Sequence, residues 1–275
     1  MDVTIAKKDL LKLVQRCQGI ADKKSTMPVL GNVLLASEEG SLRASATDNY
    51  LAVTGTASAE IARPGAVAVP AKDLFERVKA MPEGPLQITV KEGSNASLKA
   101  VGSPRRYTLH GIPGSEFPTL SAPTKDAPSL HLAADLLSTL INHTHFSISP
   151  DETRAHINSA LLEWNEGKVR MVTTDGHRLS KMELEVPGST ATATMLLPQK
   201  AVAELRRLTD EAKAERTGDV AIRQSGPNAY FEVAGVTYTR YQLLVLPAMA
   251  IAAFFALRWF LGGTGLGRQV VAVTH

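Results

Sequence analysis

The sequence predicts an α+β protein built from repeated domains, each with two helices packed on antiparallel sheets. Three observations carry that prediction: a length of 275 residues, an internal repeat, and a hydrophobic period that alternates between helical and strand values within each copy. The length exceeds what one core usually serves, so two units of about 100 to 150 residues are expected. With 44% hydrophobic and 21% charged residues the chain is an ordinary globular one, which excludes disordered and fibrous classes. Cys17 is the only cysteine, so there is no disulfide framework and no thiolate cluster for zinc. Together with an N-terminus that carries Asp2 and lacks an uninterrupted apolar stretch, this points to a cytoplasmic address. The net charge of +3 permits a polyanionic partner without demanding one.

The repeat is read in three blocks. "GNVLLASEEGSLRASATDNYLAV" from Gly31 lies over "NSALLEWNEGKVRMVTTDGHRLSK" from Asn158, shifted by 127 residues, with Leu34 on Leu161, Gly40 on Gly167 and Thr47-Asp48 on Thr174-Asp175. Upstream, Asp9-Leu10-Leu11 falls on Asp135-Leu136-Leu137; downstream, "VPAKDLFERV" from Val69 falls on "LPQKAVAELR" from Leu197. The blocks keep their order with one-residue slips, as a duplicated domain would.

Each copy opens with a helical pattern: Leu10, Leu13, Val14 and Cys17 in the first, Leu136, Leu137, Leu140 and Ile141 in the second. Alternating strands follow, turning at Glu39-Gly40 and at Glu166-Gly167. A proline-led second helix comes next, with Leu74, Phe75, Val78 and Met81 on one face in the first copy and Val202, Leu205 and Leu208 in the second. Further strands close each copy, and the proline- and serine-rich "FPTLSAPTKDAPS" links the two.

Lys8, Lys12 and Arg16 recur at i, i+4, i+8, away from the apolar face of the first helix. The second helix adds Lys72, Arg77 and Lys79, and the fourth adds Lys200, Arg206 and Arg207. A single stripe of this kind is usually a solvated face. Recurring on three of four equivalent helices, it suits a phosphate backbone gripped without reading sequence.

The stretch "VTTDGHRLSK" has the residue types of a catalytic site. However, Asp175, His177 and Ser180 lie within six residues of one another, whereas a triad is assembled from separate segments, and no nucleophile elbow is present. The first copy keeps Thr47-Asp48 but has Asn49, Tyr50 and Leu51 where the second has Gly176, His177 and Arg178. Thr-Asp therefore reads as turn architecture, its carboxylate capping backbone N–H groups. His143 and His145 could share a metal only from an extended strand, and no third ligand is evident near them or His156, so no metal site is expected. "GGTGLGRQ" is neither a P-loop nor a dinucleotide fingerprint, and no cofactor is expected.

"MPVLGNVLL", "VPAKDLFERV", "FPTL" and "TTDGHRL", in this duplicated layout, resemble the bacterial DNA sliding clamp family, the beta subunit of DNA polymerase III, over residues 1 to about 239. The resemblance implies a clamp fold in which three domains make a subunit and two subunits close a ring around double-stranded DNA, helices inside and sheets outside. It implies clamp domains at 1–122 and 128–240, no enzyme activity, and as partners the polymerase III catalytic subunit, the clamp loader and other clamp-binding proteins. It also implies that Ile157, Thr174, Gly176, His177, Arg178 and Leu179 form part of a pocket for short linear peptides, and that Lys24 and Arg154 lie on DNA-contacting loops. Ring closure would use the edge strand around Arg105, Arg106, Tyr107 and Leu109.

From Tyr241 to Leu257 the chain is uncharged, interrupted by Pro247, and residues 241–275 match neither the first copy nor the family; a third domain is not evident. Three readings of this tail stand: translation in a shifted frame, a membrane segment, or a divergent buried element. With its closing partner missing, the edge strand is expected to expose Tyr107 and Leu109, and homodimerisation is in doubt. A membrane-tethered peptide receptor that never encircles DNA is the alternative function, and a hydrolase using His177 with Asp175 a further one.

Overall fold

The computed structural model describes residues 1–21, 27–90, 94–124, 127, 129–165, 167–187, 192–215, 218–225, 228–233 and 236–240, with backbone alone at 214, 215 and 237–240. Lys24 and the tail from 241 lie outside them. In chain order the regular elements are β1 (Asp2–Ala6), α1 (Lys7–Ile20), β2 (Asn32–Glu38), β3 (Ser41–Thr47), β4 (Leu51–Ser58), β5 (Glu60–Arg63), β6 (Ala66–Pro70), α2 (Ala71–Ala80), β7 (Pro85–Val90), β8 (Asn95–Ala100), β9 (Arg106–His110), β10 (Ile112–Pro113), β11 (Ser129–Ala133), α3 (Ala134–Asn142), β12 (Ser159–Asn165), β13 (Lys168–Thr174), β14 (Leu179–Glu185), β15 (Ala193–Pro198), α4 (Gln199–Glu215), β16 (Asp219–Ser225), β17 (Asn228–Val233) and β18 (Val236–Arg240). The described residues form two compact units, one of residues 1–122 with β18 and one of residues 123–233.

In the first unit one sheet runs β5-β1-β7-β8-β9 and another β10-β6-β2-β3-β4-β18. Helices α1 and α2 pack side by side and touch both sheets, α1 through β1, β3 and β4, α2 through β6 and β9. The apolar stripe expected of α1 is buried: Leu10, Leu13, Val14, Cys17 and Ile20. Burying each such side chain stabilises the fold by roughly 1.5–3 kcal/mol before entropy is counted. In the second unit β14-β13-β12-β15 make one sheet, β11, β16 and β17 pair beside it, and α3 packs on α4 through Leu137, Leu140, Ile141, Val202, Leu205 and Leu208.

The hairpins turn where the sequence places them, at Gly40 (φ 67°) and Gly167 (φ 75°), both in the left-handed region that glycine enters without a Cβ penalty. The start of each copy differs from expectation. A strand, not a helix, opens it: β1 buries Val3 and Ile5, β11 buries Leu130 and Leu132, and the chain passes from strand to helix with no intervening loop. Neither helix start has a side-chain cap, and a backbone carbonyl replaces one: Gly84 O accepts Lys7 N–H at 3.0 Å and Gly218 O accepts Ala134 N–H at 3.4 Å.

The edge strand β9 also departs from its expectation. Leu109 is buried, at 4% exposure, and Tyr107 is half-buried under the Arg77 guanidinium, 4.9 Å above its ring. A helix side chain from α2 shields the apolar end of this strand, so only Arg106, Thr108 and His110 face water. From β9 the chain crosses to the other sheet at Gly111, where a Cβ would stand 2.7 Å from the carbonyl oxygens of both Ala68 and Ser94.

Candidate functional site

Strands β13 and β14 pair as far as Thr174↔Leu179, and residues 175–178 close the hairpin. Asp175 Oδ1 accepts the N–H groups of His177 at 2.9 Å and Arg178 at 3.0 Å, and Oδ2 accepts Arg178 Nε–H at 2.9 Å. Thr174 Oγ1 donates to the Arg178 carbonyl at 2.7 Å and accepts Gly176 N–H at 3.1 Å. The Arg178 and His177 N–H groups, bonding the charged carboxylate, hold the Asp175 carboxyl at about 2, below its ordinary 3.8. A carboxylate so fixed is a poor base, and the Ser180 hydroxyl is bonded to Ser147 Oγ at 2.7 Å, so these residues form no proton relay.

The same turn is built in the first copy. Asp48 Oδ1 accepts Tyr50 N–H at 3.0 Å and Leu51 N–H at 2.7 Å, while Thr47 Oγ1 donates to the Leu51 carbonyl at 3.1 Å and accepts Asn49 N–H at 3.1 Å. Asn49 takes φ 74° where Gly176 takes 91°. Thr-Asp is thus the scaffold of a turn, and only the three residues after it differ.

Around the second-copy turn the structure gathers side chains from two further segments. Arg178 Nη2–H donates to the Phe146 carbonyl at 2.7 Å, and its guanidinium carbon stands 6.0 Å from the Phe146 ring centre; Phe146 itself is 51% exposed. Arg154 Nη2 lies 3.7 Å from the point where a Gly176 Cβ would be. Arg154, expected on a DNA-facing loop, therefore borders this turn. Its loop is folded on itself: Asp151 accepts Thr153 Oγ1–H at 2.6 Å and Thr153 N–H at 3.0 Å, and Ser149 N–H donates to the Ile157 carbonyl at 3.0 Å. The Thr153 hydroxyl, then its N–H, lowers the Asp151 carboxyl below its usual range. Ile157 is 8% exposed and Leu179 half-buried. Arg178 is thus joined to Phe146, and Arg154, His177 and Arg178 gather polar groups at this turn.

The register of the repeat itself signals this place for Arg154. At the shift of 127, Met27 falls on Arg154, Leu30 on Ile157 and Asn49 on Gly176, and Asn49 Nδ2 approaches Met27 Sδ at 3.8 Å just as Gly176 meets Arg154. Phe146 has no such signal, since "NHTHFS" reads as a histidine motif. Those histidines sit at the end of α3, not on a strand: His143 Nδ1 lies 2.9 Å from the Thr139 carbonyl, and His145 bridges the Ile141 carbonyl, 3.0 Å, and Arg206 Nη1, 3.1 Å. Among the described residues no three metal-ligating side chains cluster.

The basic residues divide. Lys8, Lys72, Lys200 and Arg206 are exposed, Lys12 and Arg16 half-buried on α1. Arg77, also exposed, stands over the Tyr107 ring. Arg207 is held by Glu204 at 2.9 Å and Glu211 at 3.0 Å, so its charge is largely balanced within α4. Arg105 donates to the Ala80 carbonyl at 2.7 Å and caps the C-terminal end of α2. Among the described residues no helix is long and apolar enough to cross a membrane.

Residues 1–121 match the family model described as DNA polymerase III beta subunit, N-terminal domain, and residues 131–243 that of the central domain. The beta sliding clamp of Caulobacter vibrioides (strain NA1000 / CB15N) is 34% identical over 219 residues, covering 77% of this chain and 58% of the relative. That of Pseudomonas aeruginosa is 34% identical over 221 residues, 78% of this chain and 58% of the relative. The chain thus spans a little over half the length of these curated relatives. Among solved structures, the Caulobacter crescentus DNA polymerase sliding clamp superimposes with a TM-score of 0.82 at 29% identity, over 92% of this chain and 68% of that one. The DNA polymerase III subunit beta from Pseudomonas aeruginosa does so at 0.80 and 32%, over 89% and 65%.

Proposed function

The chain belongs to the family of DNA polymerase III beta subunits through that family's N-terminal and central domains, and we propose that it serves as those two domains of a DNA sliding clamp. In this reading it is a non-catalytic processivity factor. Its basic helix faces keep double-stranded DNA close, and the corner at Thr174–Leu179 docks short peptides from the polymerase III catalytic subunit, the clamp loader and other clamp-binding proteins.

One observation supports the docking role above the others. Two copies of one turn share every scaffold bond, yet only the second presents a glycine, a histidine and an arginine, with Phe146 and Arg154 beside them. The glycine keeps the wall low, the arginine stem lines it, and the Asp175 carboxylate is consumed in holding the turn, so the site recognises and does not react. On the DNA side, exposed Lys8, Lys72, Lys200 and Arg206 supply charge without an array of base-reading side chains, as sliding requires. Arg207 contributes least, being already paired.

The DNA half is tested by the triple variant Lys8→Glu, Lys12→Glu, Arg16→Glu. Affinity for duplex DNA should fall equally for unrelated sequences, and the slope of log K against log salt should flatten by about 0.9 for each phosphate no longer neutralised. Unchanged affinity and slope would remove α1 from the DNA face and overturn that part of the reading.

A further inference from the structure

Helix α3 carries no lysine or arginine, and the groups that can turn cationic beside it are His143 and His145, just past its C-terminal end. His145 is half-buried, with both ring nitrogens engaged: Nδ1 lies 3.0 Å from the Ile141 carbonyl oxygen and Nε2 lies 3.1 Å from Arg206 Nη1 of α4. These partners dictate where the proton sits. A carbonyl oxygen only accepts, so Nδ1 carries hydrogen; a guanidinium only donates, so Nε2 keeps its lone pair. The arrangement therefore exists only for the neutral imidazole. We propose that His145 is a proton-controlled catch on Arg206. Neutral, it holds the guanidinium at the end of α3; protonated, it releases Arg206 to a polyanion, a consequence that rests on the reading of α4 as a DNA-facing helix.

Protonation puts an N–H on Nε2, so the bond to Arg206 is lost and two cations are left at contact distance. The Nδ1–H bond to Ile141 survives, because a cation is favoured at the carbonyl end of a helix. His145 stays and Arg206 leaves. The groups around the pair favour that outcome. On α4, Arg207 is held by Glu204 and Glu211, and Asp210, one turn beyond Arg206, is exposed. On α3 and just past it, Asp135 is paired with Lys213 at 3.2 Å, and His143 Nδ1 meets the Thr139 carbonyl. β13 offers the uncharged Thr173 hydroxyl, which donates to the Thr144 carbonyl, and β14 offers Ser180, hydrogen-bonded to Ser147 Oγ. Phe146 meets the imidazole edge-on at 6.0 Å, and Arg178, beside that ring, is paired with Asp175. Among the described residues no carboxylate is bonded to His145 or Arg206, so the added proton meets a cation and no anion.

Histidine changes charge between about pH 5 and 8, and the full-length chain tests the catch across that range. Without DNA, nitrogen NMR of the histidine rings and arginine side chains should show His145 with hydrogen on Nδ1 alone at the upper end. As it titrates, the Arg206 Nη–H signals should move to those of a solvated guanidinium with the same midpoint. With duplex DNA of arbitrary sequence, the slope of log K against log salt should steepen toward the lower end by about 0.9 for each of Arg206 and His145 that gains a phosphate. His143→Gln should keep that steepening. His145→Gln should lose it, because its amide accepts from Arg206 and donates to Ile141 at every pH. Hydrogen on Nε2 of His145 at the upper end, Arg206 signals that ignore the titration, or equal steepening in His145→Gln and the parent would each overturn the proposal. Coupled titration of His145 and Arg206 with no DNA affinity at any pH would confirm the catch and overturn the DNA role of α4.

Discussion

Replacing Gly176 separates backbone geometry from side-chain crowding at the Thr174–Leu179 corner. The residue sits at φ 91°, and a Cβ there would stand 3.7 Å from Arg154 Nη2, an ordinary separation. Gly176→Ala therefore carries a conformational cost and no steric one. An alanine in the left-handed region costs roughly 1–2 kcal/mol, and the stiffer unfolded chain returns about 0.4–1 kcal/mol of it, leaving a net loss of about 1 kcal/mol. For a unit near 100 residues that lowers its melting temperature by about 4–8 °C. Gly176→Asn should lose less than half as much, because asparagine enters this region readily and Asn49 already holds φ 74° in the first-copy turn. Scanning calorimetry of the full chain, with both variants beside the parent, gives the comparison. Equal losses from alanine and asparagine, or no loss from alanine, would refute the claim that backbone conformation dictates this position.

The Asp175 carboxyl should titrate near 2 by carbon-detected NMR; since its folded value lies below the ordinary 3.8, its stabilisation is complete above that pH and disappears as pH falls through about 2, and Asp175→Asn should erase this acid-range dependence. A midpoint near 4 would show that the turn bonds do not favour the charged form. Leu109→Ala should cost about 2–5 kcal/mol as a core deletion, measurable by urea unfolding, whereas a loss under about 1 kcal/mol would return Leu109 to the exposed surface.

The features legible in the sequence are local or periodic. The stripe Leu10 to Cys17 names the buried face of α1, and Gly40 and Gly167 name both hairpins, because a helix face and a positive-φ turn are each fixed by residues close in the chain. The opening strands escape notice because "DVTIA" and "SLHLA" are five residues long and run into helices without a glycine or proline to mark the boundary. Long-range contacts are illegible for a different reason. Nothing within ten residues of Tyr107 announces that Arg77 will cover it, and nothing near Arg105 announces the Ala80 carbonyl it caps. Arg207 reads as one more cation of a stripe, yet Glu204 and Glu211, about one helical turn either side, bind it; that spacing is readable and is outweighed by the pattern of the stripe.

The two turns also differ in what they present to the surface. Their fourth residues have opposite fates: Leu51 goes inward, at 6% exposure, while Arg178 goes outward to the Phe146 carbonyl and ring. An inward leucine fills the corner beneath the first-copy turn. The outward arginine stands by the Phe146 ring, and its bond to the Phe146 carbonyl ties that segment to the turn. Thr174 and Asp175 hold the backbone through bonds to main-chain groups, so 177 and 178 can change their chemistry short of proline, and 176 can change to a residue that accepts positive φ, without dismantling the turn. An exchange of Gly176-His177-Arg178 for Asn-Tyr-Leu should accordingly abolish peptide binding, read by titration of a clamp-binding peptide, while hydrogen exchange shows the amide bonds of the turn intact. Binding that survives the exchange would place the recognition surface elsewhere.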